Sequence, residues 1–555
     1  MSADRQSARG EPHVPDAAPE IQEILAYHEA TKHSPESIHR SRWAMDWSNK
    51  PYPFKRYAGL PRIGLERETP TAGRPALDAI AGVEAESPVT TADLSAITRL
   101  LRWGAGLHHA VRRPDGQTFF FRTYASAGAL YPVEVYIVCG ELDGLGAGVY
   151  HYLPHGDELV RLREGDRRPS LVRASAEDSA VVHSPVVLAL TGIPWRTAWK
   201  YAERGYRHLF WDAGMIVANL LALAASVDVP ARVVVGFADR EVELLLGLDG
   251  RREVPLCLLP LGTSEREVVP APGPPEEIEL PTLPLSRTEY AFEAITVANE
   301  AGRLGSPEEV ERWRDRTGAS DRKVSPERAV NAKDSAAVTD RVEDVIRRRG
   351  SARGFGSVAM PSEVLVDVLG RATSRVRSDH APDGSRLIEP YLVVNRVDGL
   401  KPGAYVWRDG EPASFATATS GTRRRSFVST SGSAGTPRRR CSSWPTSRRR
   451  SRSLARAATE RRSSRRERSP ARCTWRHTRI AWGRRGSRSS TTRSSVSSRR
   501  MRSARAACSS SRSATARACT EPDDRAGQGP RDALHRLDPR HDHSPGMIRF
   551  LQIWI

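Results

Sequence analysis

Eighteen residues that occur twice constrain this chain more than any other feature: VEVYIVCGELDGLGAGVY, 133–150, lies on IEPYLVVNRVDGLKPGAY, 388–405, without a gap. Glu134, Tyr136, Val138, Asp143, Gly144, Leu145, Gly148 and Tyr150 face Glu389, Tyr391, Val393, Asp398, Gly399, Leu400, Gly403 and Tyr405 at a constant offset of 255. The match reads as an internal duplication, two related units of strands and helices in tandem.

The pattern between these anchors is that of an α+β unit. A helix is predicted over 91–107, TADLSAITRLLRWGAGL, with Asp93 near its start and Gly104 and Gly106 at its end. Alternating Val133, Val135 and Ile137 mark a strand, and SPVVLALTG, 184–192, a buried one. A long helix is expected over 199–227, after which ARVVVGF and PLCLLPLG complete the strands. Residues 1–20 are polar and expected to be disordered. The aromatic stretch 21–63 suits an arm wrapping over the first unit, which runs to 268. PAPGPPEEIELPTLPLS opens a Pro/Glu-rich and charged linker, 269–335, and a partial second unit spans 336–415.

Charge divides the chain sharply. Residues 416–555 hold 34 Arg, no Lys and 8 acidic side chains, net +26, which leaves the first 415 residues with 51 basic and 58 acidic groups. The overall charge of +19 therefore belongs to the tail alone. Where a duplicated unit should continue with a strand, a helix and two closing strands, the chain instead runs in Arg, Ser and Thr, as in RSSRRERSPARC, 462–473. Reading the third base of each codon with the first two of the next can spell GGYRAAQLEAGALAGALYLAA from about residue 456, close to RGYRHLFWDAGMIVANLLALAA at 204–225. Trp475 and Trp482 force Ala and Gly in that register, and both fit. Residues from about 416 onward are thus expected to be out of frame; the alternative is a disordered basic arm that binds RNA by neutralising phosphates.

Cys139 and Cys257 are the only cysteines before the tail, and neither CxxC nor any metal-ligand spacing occurs, so no metal is expected. Neither a signal-like N-terminus nor a run of about 18 apolar residues is present. These features point to a cytoplasmic chain with no membrane partner.

Three motifs carry chemistry. FRTYASAGALYPVEVYIV, 121–138, places a Ser-Ala-Gly-Ala turn before a strand, where a flat conjugated ring or a phosphate can approach the main chain, with Arg122 beside it. The plain alternative is a tight structural turn. IRRRGSARGF, 346–355, gathers Arg348, Arg349, Ser351 and Arg353 as an anion would require, or as a solvated basic turn. WRTAWKYAERGYRHLFWDAG, 195–214, sets Lys200 and Tyr201 before a helix: a surface pair, or a proton acceptor for C–H removal coupled to hydride loss.

Taken together, SAGALYPVEVY, KYAERGYR with DAG and NLLALAA, VGFADREVELLLGLDG, and RRGSARGF resemble the nitroreductase superfamily, in particular its SagB-type or thiazole/oxazole-oxidase dehydrogenases. The resemblance covers about 23–265 and 340–415. Ala125 stands where many relatives have Pro before the turn. The resemblance implies an FMN-binding α+β fold with flavin between two units, here a pseudo-dimer in one chain or a homodimer. It implies oxidation of azolines to azoles in ribosomally made peptides, with a cyclodehydratase as partner. It assigns Lys200 and Tyr201 to deprotonation. Ser126, Ala127, Gly128, Ala129, Arg122, Asn219, Gly236, Arg348, Arg349, Ser351 and Arg353 fall to the cofactor. A generic NAD(P)H-dependent nitro- or flavin reductase on the same fold is the second reading; nucleic acid is not an expected partner.

Overall fold

The computed structural model describes residues 19–34, 37–38, 43–66, 73–81, 92–114, 116–318, 340–352, 356–373, 376, 378–380 and 389–417. Expectations that fall on residues 1–18, on Arg353 and on 418–555 lie outside this set, and with them those for the basic tail.

Strands β1 (Arg62–Gly64), β2 (Leu107–Arg112), β3 (Thr118–Arg122), β4 (Val133–Cys139), β5 (Gly148–Leu153), β6 (Glu158–Glu164), β7 (Val186–Gly192) and β8 (Val254–Leu261) follow in chain order. Six of them form an antiparallel sheet, β1-β6-β5-β4-β7-β8, and β2 pairs with β3 as a separate hairpin. The β-branched and aromatic run of β4 suits a pleated surface, and all seven of its residues are buried because both faces are covered. Val133, Val135, Ile137 and Cys139 pack with the helices Leu94–Ala105 and Gly205–Ser226. Tyr136 and Val138 face the opposite core with Phe54, Tyr57 and the helices Arg168–Ala174 and Asp239–Leu246. The period of two thus splits one strand between two cores.

The helix expected over 91–107 is Leu94–Ala105, capped by Asp93, whose carboxylate accepts the Ala96 N–H at 2.7 Å. The single helix expected over 199–227 is two, Pro194–Tyr201 and Gly205–Ser226, broken at Ala202 with φ +48°. Gly205 lets the second helix start against the first, because a Cβ there would lie 2.6 Å from the Ala198 nitrogen. The stretch Pro194–Ser226 is apolar and long enough to cross a membrane by composition, but most of it is buried in the core, which accounts for its hydropathy.

ARVVVGF is not a full strand. It makes isolated bridges, Ala231 and Val234 to β8 and Val233 to Ser378. The stretch after 268, read as linker from its Pro and Glu content, is packed structure as far as 318. Tyr52 N–H donates to the Leu285 carbonyl at 2.7 Å and Leu283 N–H to that of Arg56 at 2.9 Å, so arm and stretch run together as extended chain. The helices Glu293–Glu300 and Pro307–Gly318 follow, burying Ile295, Ala298, Val310 and Trp313. Proline-rich extended chain satisfies its backbone against another strand, which composition alone does not reveal.

The arm is pinned by buried charge. Lys55 Nζ reaches Glu253 at 2.7 Å and Tyr136 Oη at 2.9 Å, while Glu134 is shared by Arg196 and by His151 at 2.9 Å. Burial pushes Glu134 up, but Arg196 and His151 hold its carboxyl well below the usual range.

In the C-terminal part, the helices Val342–Arg348 and Ser362–Ala372 precede a three-stranded sheet of β9 (Tyr391–Val394), β10 (Gly403–Arg408) and β11 (Glu411–Thr417). It has its own small core, Leu365, Leu369, Leu392, Val394, Val397, Tyr405 and Trp407. Helix Val342–Arg348 meets the N-terminal part where Pro75 bridges Arg341 and Ala76 N–H donates to the Asp340 carbonyl at 2.8 Å.

Candidate functional site

The turn that joins β3 to β4 holds unusual backbone. Gly128, Ala129 and Tyr131 have φ of +67°, +54° and +48°. Side chains disfavour that region, so the surroundings must over-determine it. They do so from below: Ser126 Oγ accepts the Tyr131 N–H at 2.9 Å and donates to Asp212, whose other oxygen accepts the Ala127 N–H at 3.2 Å. Asp212 comes from the buried helix Gly205–Ser226.

Lys200 and Tyr201 end the helix Pro194–Tyr201, which two tryptophan bonds fix to the arm: Trp199 Nε1 to the Asp46 carbonyl at 2.8 Å and Trp43 Nε1 to the Trp199 carbonyl at 2.9 Å. A methyl group built on Gly128 would lie 3.0 Å from Tyr201 Oη and 3.1 Å from Lys200 Nζ. Both head groups therefore stand over the one residue of the turn that lacks a side chain. The Tyr201 ring stacks on His208, centroids 4.2 Å apart and planes 8° off parallel.

Electrostatics follow from burial. Asp212 is fully enclosed, and burial pushes its carboxyl up to about 7 against the bonds from Ser126 and Ala127. Burial and the Asp212 charge push the Tyr201 phenol up to about 12, so it holds its proton at neutral pH. Burial, with Arg204, His33 and Arg207 around it, pushes His208 down to about 3; the imidazole is neutral and both ring nitrogens are buried without a hydrogen-bond partner. At the rim, Lys50 Nζ and the Arg113 guanidinium lie 5.0 and 4.4 Å from the Phe119 ring centroid. Burial, Lys200 and Arg113 lower the Lys50 ammonium. The site is cationic around one buried acid.

Of the arginine-rich opening, Arg349 is the member brought to the turn. It is half-buried within electrostatic reach of Tyr131, and its Nε is enclosed with no hydrogen-bond partner. Arg348 is exposed and paired with Asp340 at 2.7 Å, and Ser351 is exposed, so among the described members of this motif Arg349 is the one within electrostatic reach of the turn. Arg122 lies beneath the turn as a buried fixture: it donates to the Pro53 carbonyl at 2.8 Å and stacks over Phe54 and Tyr131. Asn219 is half-buried two helical turns beyond Asp212 on the same face. Gly236 N–H donates to Asp379 at 2.7 Å. The sequence reading passed over Asp212 and His208. Their signal was present, since they are spaced i, i+4 in a helix that is otherwise almost wholly apolar. Among the described residues no cluster of His, Cys, Asp and Glu could hold a metal ion.

A cradle of this kind, a Cβ-free turn under an amine and a phenol, belongs with the sequence relationships of the region that carries it. The model of the nitroreductase family matches residues 84–263. Over 142 residues the chain is 31% identical to the nitroreductase-named protein MJ1384 of Methanocaldococcus jannaschii, covering 26% of this chain and 70% of that one. The chain belongs to the nitroreductase family. Over 143 residues this nitroreductase-family region is also 31% identical to the microcin B17-processing protein McbC of Escherichia coli. That alignment covers 25% of this chain and 52% of McbC, so it spans about half of that protein. Among solved structures, a nitroreductase-named protein from Anabaena variabilis superposes with a TM-score of 0.49 at 21% identity, over 71% of this chain and 79% of that one. A chain of the Escherichia coli microcin synthetase McbBCD complex gives 0.28 at 22% identity, over 44% and 92%. The family makes this chain an oxidoreductase.

Proposed function

We propose that this chain is an FMN-dependent dehydrogenase of the SagB type that oxidises azoline rings to azoles in a ribosomally made peptide. The observation that carries the reading is the convergence of Lys200 Nζ and Tyr201 Oη on Gly128. The similarity to McbC, named for processing microcin B17, supports the peptide class and suggests a cyclodehydratase partner. Two features of the residues present fit a flavin. Gly128 has no side chain of its own between the main chain and the polar head groups of Lys200 and Tyr201, and the unpartnered Nε of Arg349 suits an anionic tail. Bound FMN supplies a hydride acceptor. The chain's own residues orient and deprotonate. The turn 126–131 would bear the ring, Asp212 holds that turn, the protonated Tyr201 phenol would donate a hydrogen bond, and Lys200, in its neutral amine form, would accept the substrate's C–H proton.

The C-terminal part enters this reading as a partial second copy, supported by hairpins of equal register 255 residues apart. The site is then composite, Arg349 reaching it from the second copy as a partner subunit would. A frame slip near codon 416 accounts for the missing remainder, and resequencing codons 405–525 tests it: restored bases give a shorter acidic enzyme, while bases that stand as written sink the frameshift. A cytoplasmic location goes with the same reading.

The test of function is the purified chain. It is expected to carry the yellow absorbance of FMN, and Lys200→Ala is expected to retain that absorbance while azoline oxidation falls about 10²–10⁴-fold. Loss of flavin from Lys200→Ala would overturn the role assigned to it. The 70% coverage of MJ1384 favours a second reading, NAD(P)H-dependent reduction of nitro compounds or flavins. Rapid bleaching by NADPH with no response to azoline peptides would select it.

A further inference from the structure

Gly236 was assigned to a cofactor on sequence, and its backbone donor is indeed committed to an anion, but one that the chain supplies. Val235 N–H donates to both carboxylate oxygens of Asp379 at 3.0 and 3.1 Å, and Gly236 N–H to Oδ2 at 2.7 Å. The main chains pair as well: Asp379 N–H donates to the Val233 carbonyl at 3.2 Å, and Val233 bridges Ser378 in parallel. Two successive N–H groups aimed at one carboxylate form an anion-binding concavity. Asp379 is 2% exposed and is walled by Trp313, His380, Asp178 and Arg232. Burial, aided by the Asp178 charge, pushes its carboxyl up to about 6.

Position in the duplication gives this contact meaning. At the offset of 255, Asp379 stands where Tyr124 stands, two residues before the counterpart of Ser126. The helices Ala76–Ala81 and Val342–Arg348 are joined near their starts by the Pro75 to Arg341 bridge. Tyr131 of the first turn lies within electrostatic reach of Arg349, whose Nε is unpartnered. At the position matching Tyr124 the chain has a carboxylate, and that carboxylate takes the donor pair of Val235 and Gly236.

We propose that the Val235–Gly236 donor pair is an anion site that the chain closes with Asp379, leaving one open ligand place per chain where a symmetric pair would have two. This rests on the tandem, flavin-binding reading above. A single side chain then separates a working site from a sealed one.

Two measurements test it. The first is the ratio of FMN to chain in the saturated wild-type protein, from absorbance against protein concentration. One per chain is expected, and two would overturn the proposal. The second needs no flavin. Asp379→Ala lowers the melting temperature, and formate, which replaces the lost carboxylate, is expected to restore most of it by occupying the donor pair, where chloride at equal ionic strength does not. A folded Asp379→Ala chain, judged by circular dichroism, that formate does not rescue would overturn the anion site. If neither protein binds FMN, the flavin reading falls and the formate titration alone decides the anion site. If Asp379→Ala does not fold, the wild-type ratio decides.

Discussion

Tyr136 pairs with His151 in the hairpin of β4 and β5, and Tyr391 pairs with Val406 in that of β9 and β10, both partners shifted by 255 residues. The likeness extends to detail. Gly144 and Gly399 have φ of +82° and +74°, and the register slips after Val149 with β6 and after Ala404 with β11. Tyr150 Oη donates to the Gly146 carbonyl at 2.6 Å, and Tyr405 Oη to that of Lys401 at 2.7 Å. The surroundings differ. β4 lies between β5 and β7 with every residue buried, whereas β9 is a sheet edge with Tyr391 40% exposed. Glu134 is enclosed with Arg196 and His151, while its counterpart Glu389 is exposed and paired with Arg408 at 2.9 Å. Equivalent sequence thus builds an equivalent hairpin, and the neighbours decide whether it becomes a core or an edge.

The largest break in that comparison is expected at the turn next to the buried hairpin. Gly128→Val adds a side chain where φ is +67° and Tyr201 Oη is 3.0 Å away, and flavin retention is expected to be abolished with the fold intact by circular dichroism. Full flavin content in that variant would remove the turn from the site. Next come Ile137→Ala and Leu392→Ala, equivalent positions 0% and 1% exposed. Ile137→Ala should destabilise global unfolding by about 2–5 kcal/mol. Leu392→Ala should leave the main transition in place and loosen only the small C-terminal core, as hydrogen exchange would read. Equal losses in the main transition would mean that the two parts unfold as one.

Asp212 offers a sharper test, because its pKa is raised from 3.8 to about 7 in the folded chain. Between about pH 4 and pH 7 the folded state holds a proton the unfolded state has released, so this group's contribution to stability falls as pH rises through that window. Relative to wild type, Asp212→Asn should gain stability toward pH 8 by an amount on the order of a few kcal/mol. A parallel pH profile for both proteins would show that the carboxyl titrates normally. The smallest effect is expected from Tyr150→Phe and Tyr405→Phe. Each loses one hydrogen bond to a carbonyl, about 1 kcal/mol, similar in both hairpins when local opening is measured.

Much of the candidate site was legible in the chain. Asp93 and Gly106 marked the ends of a helix, alternation marked β4, and the Ser-Ala-Gly turn and the Lys200–Tyr201 pair were singled out for their chemistry. What could not be read was which groups a distant segment would claim. Arg122 went to Pro53, Arg348 to Asp340 and Gly236 to Asp379, each through a bond spanning eight to 143 residues. Asp212 and His208 were passed over because a lone acid and imidazole in an apolar helix look like noise until the turn they support lies against them.

By itself the sequence determined the local forms: strands from alternation, caps from Asp and Gly, hairpin register from the Asp-Gly-Leu turn, and the residue types able to move a proton. Those depend on interactions within a few residues. The tertiary structure alone decided that Lys200 and Tyr201 stand over Gly128, that Arg349 arrives from some 220 residues away, and that a second carboxylate seals Val235 and Gly236. Burial and electrostatic reach are properties of what packs against a residue, and no window of sequence contains them.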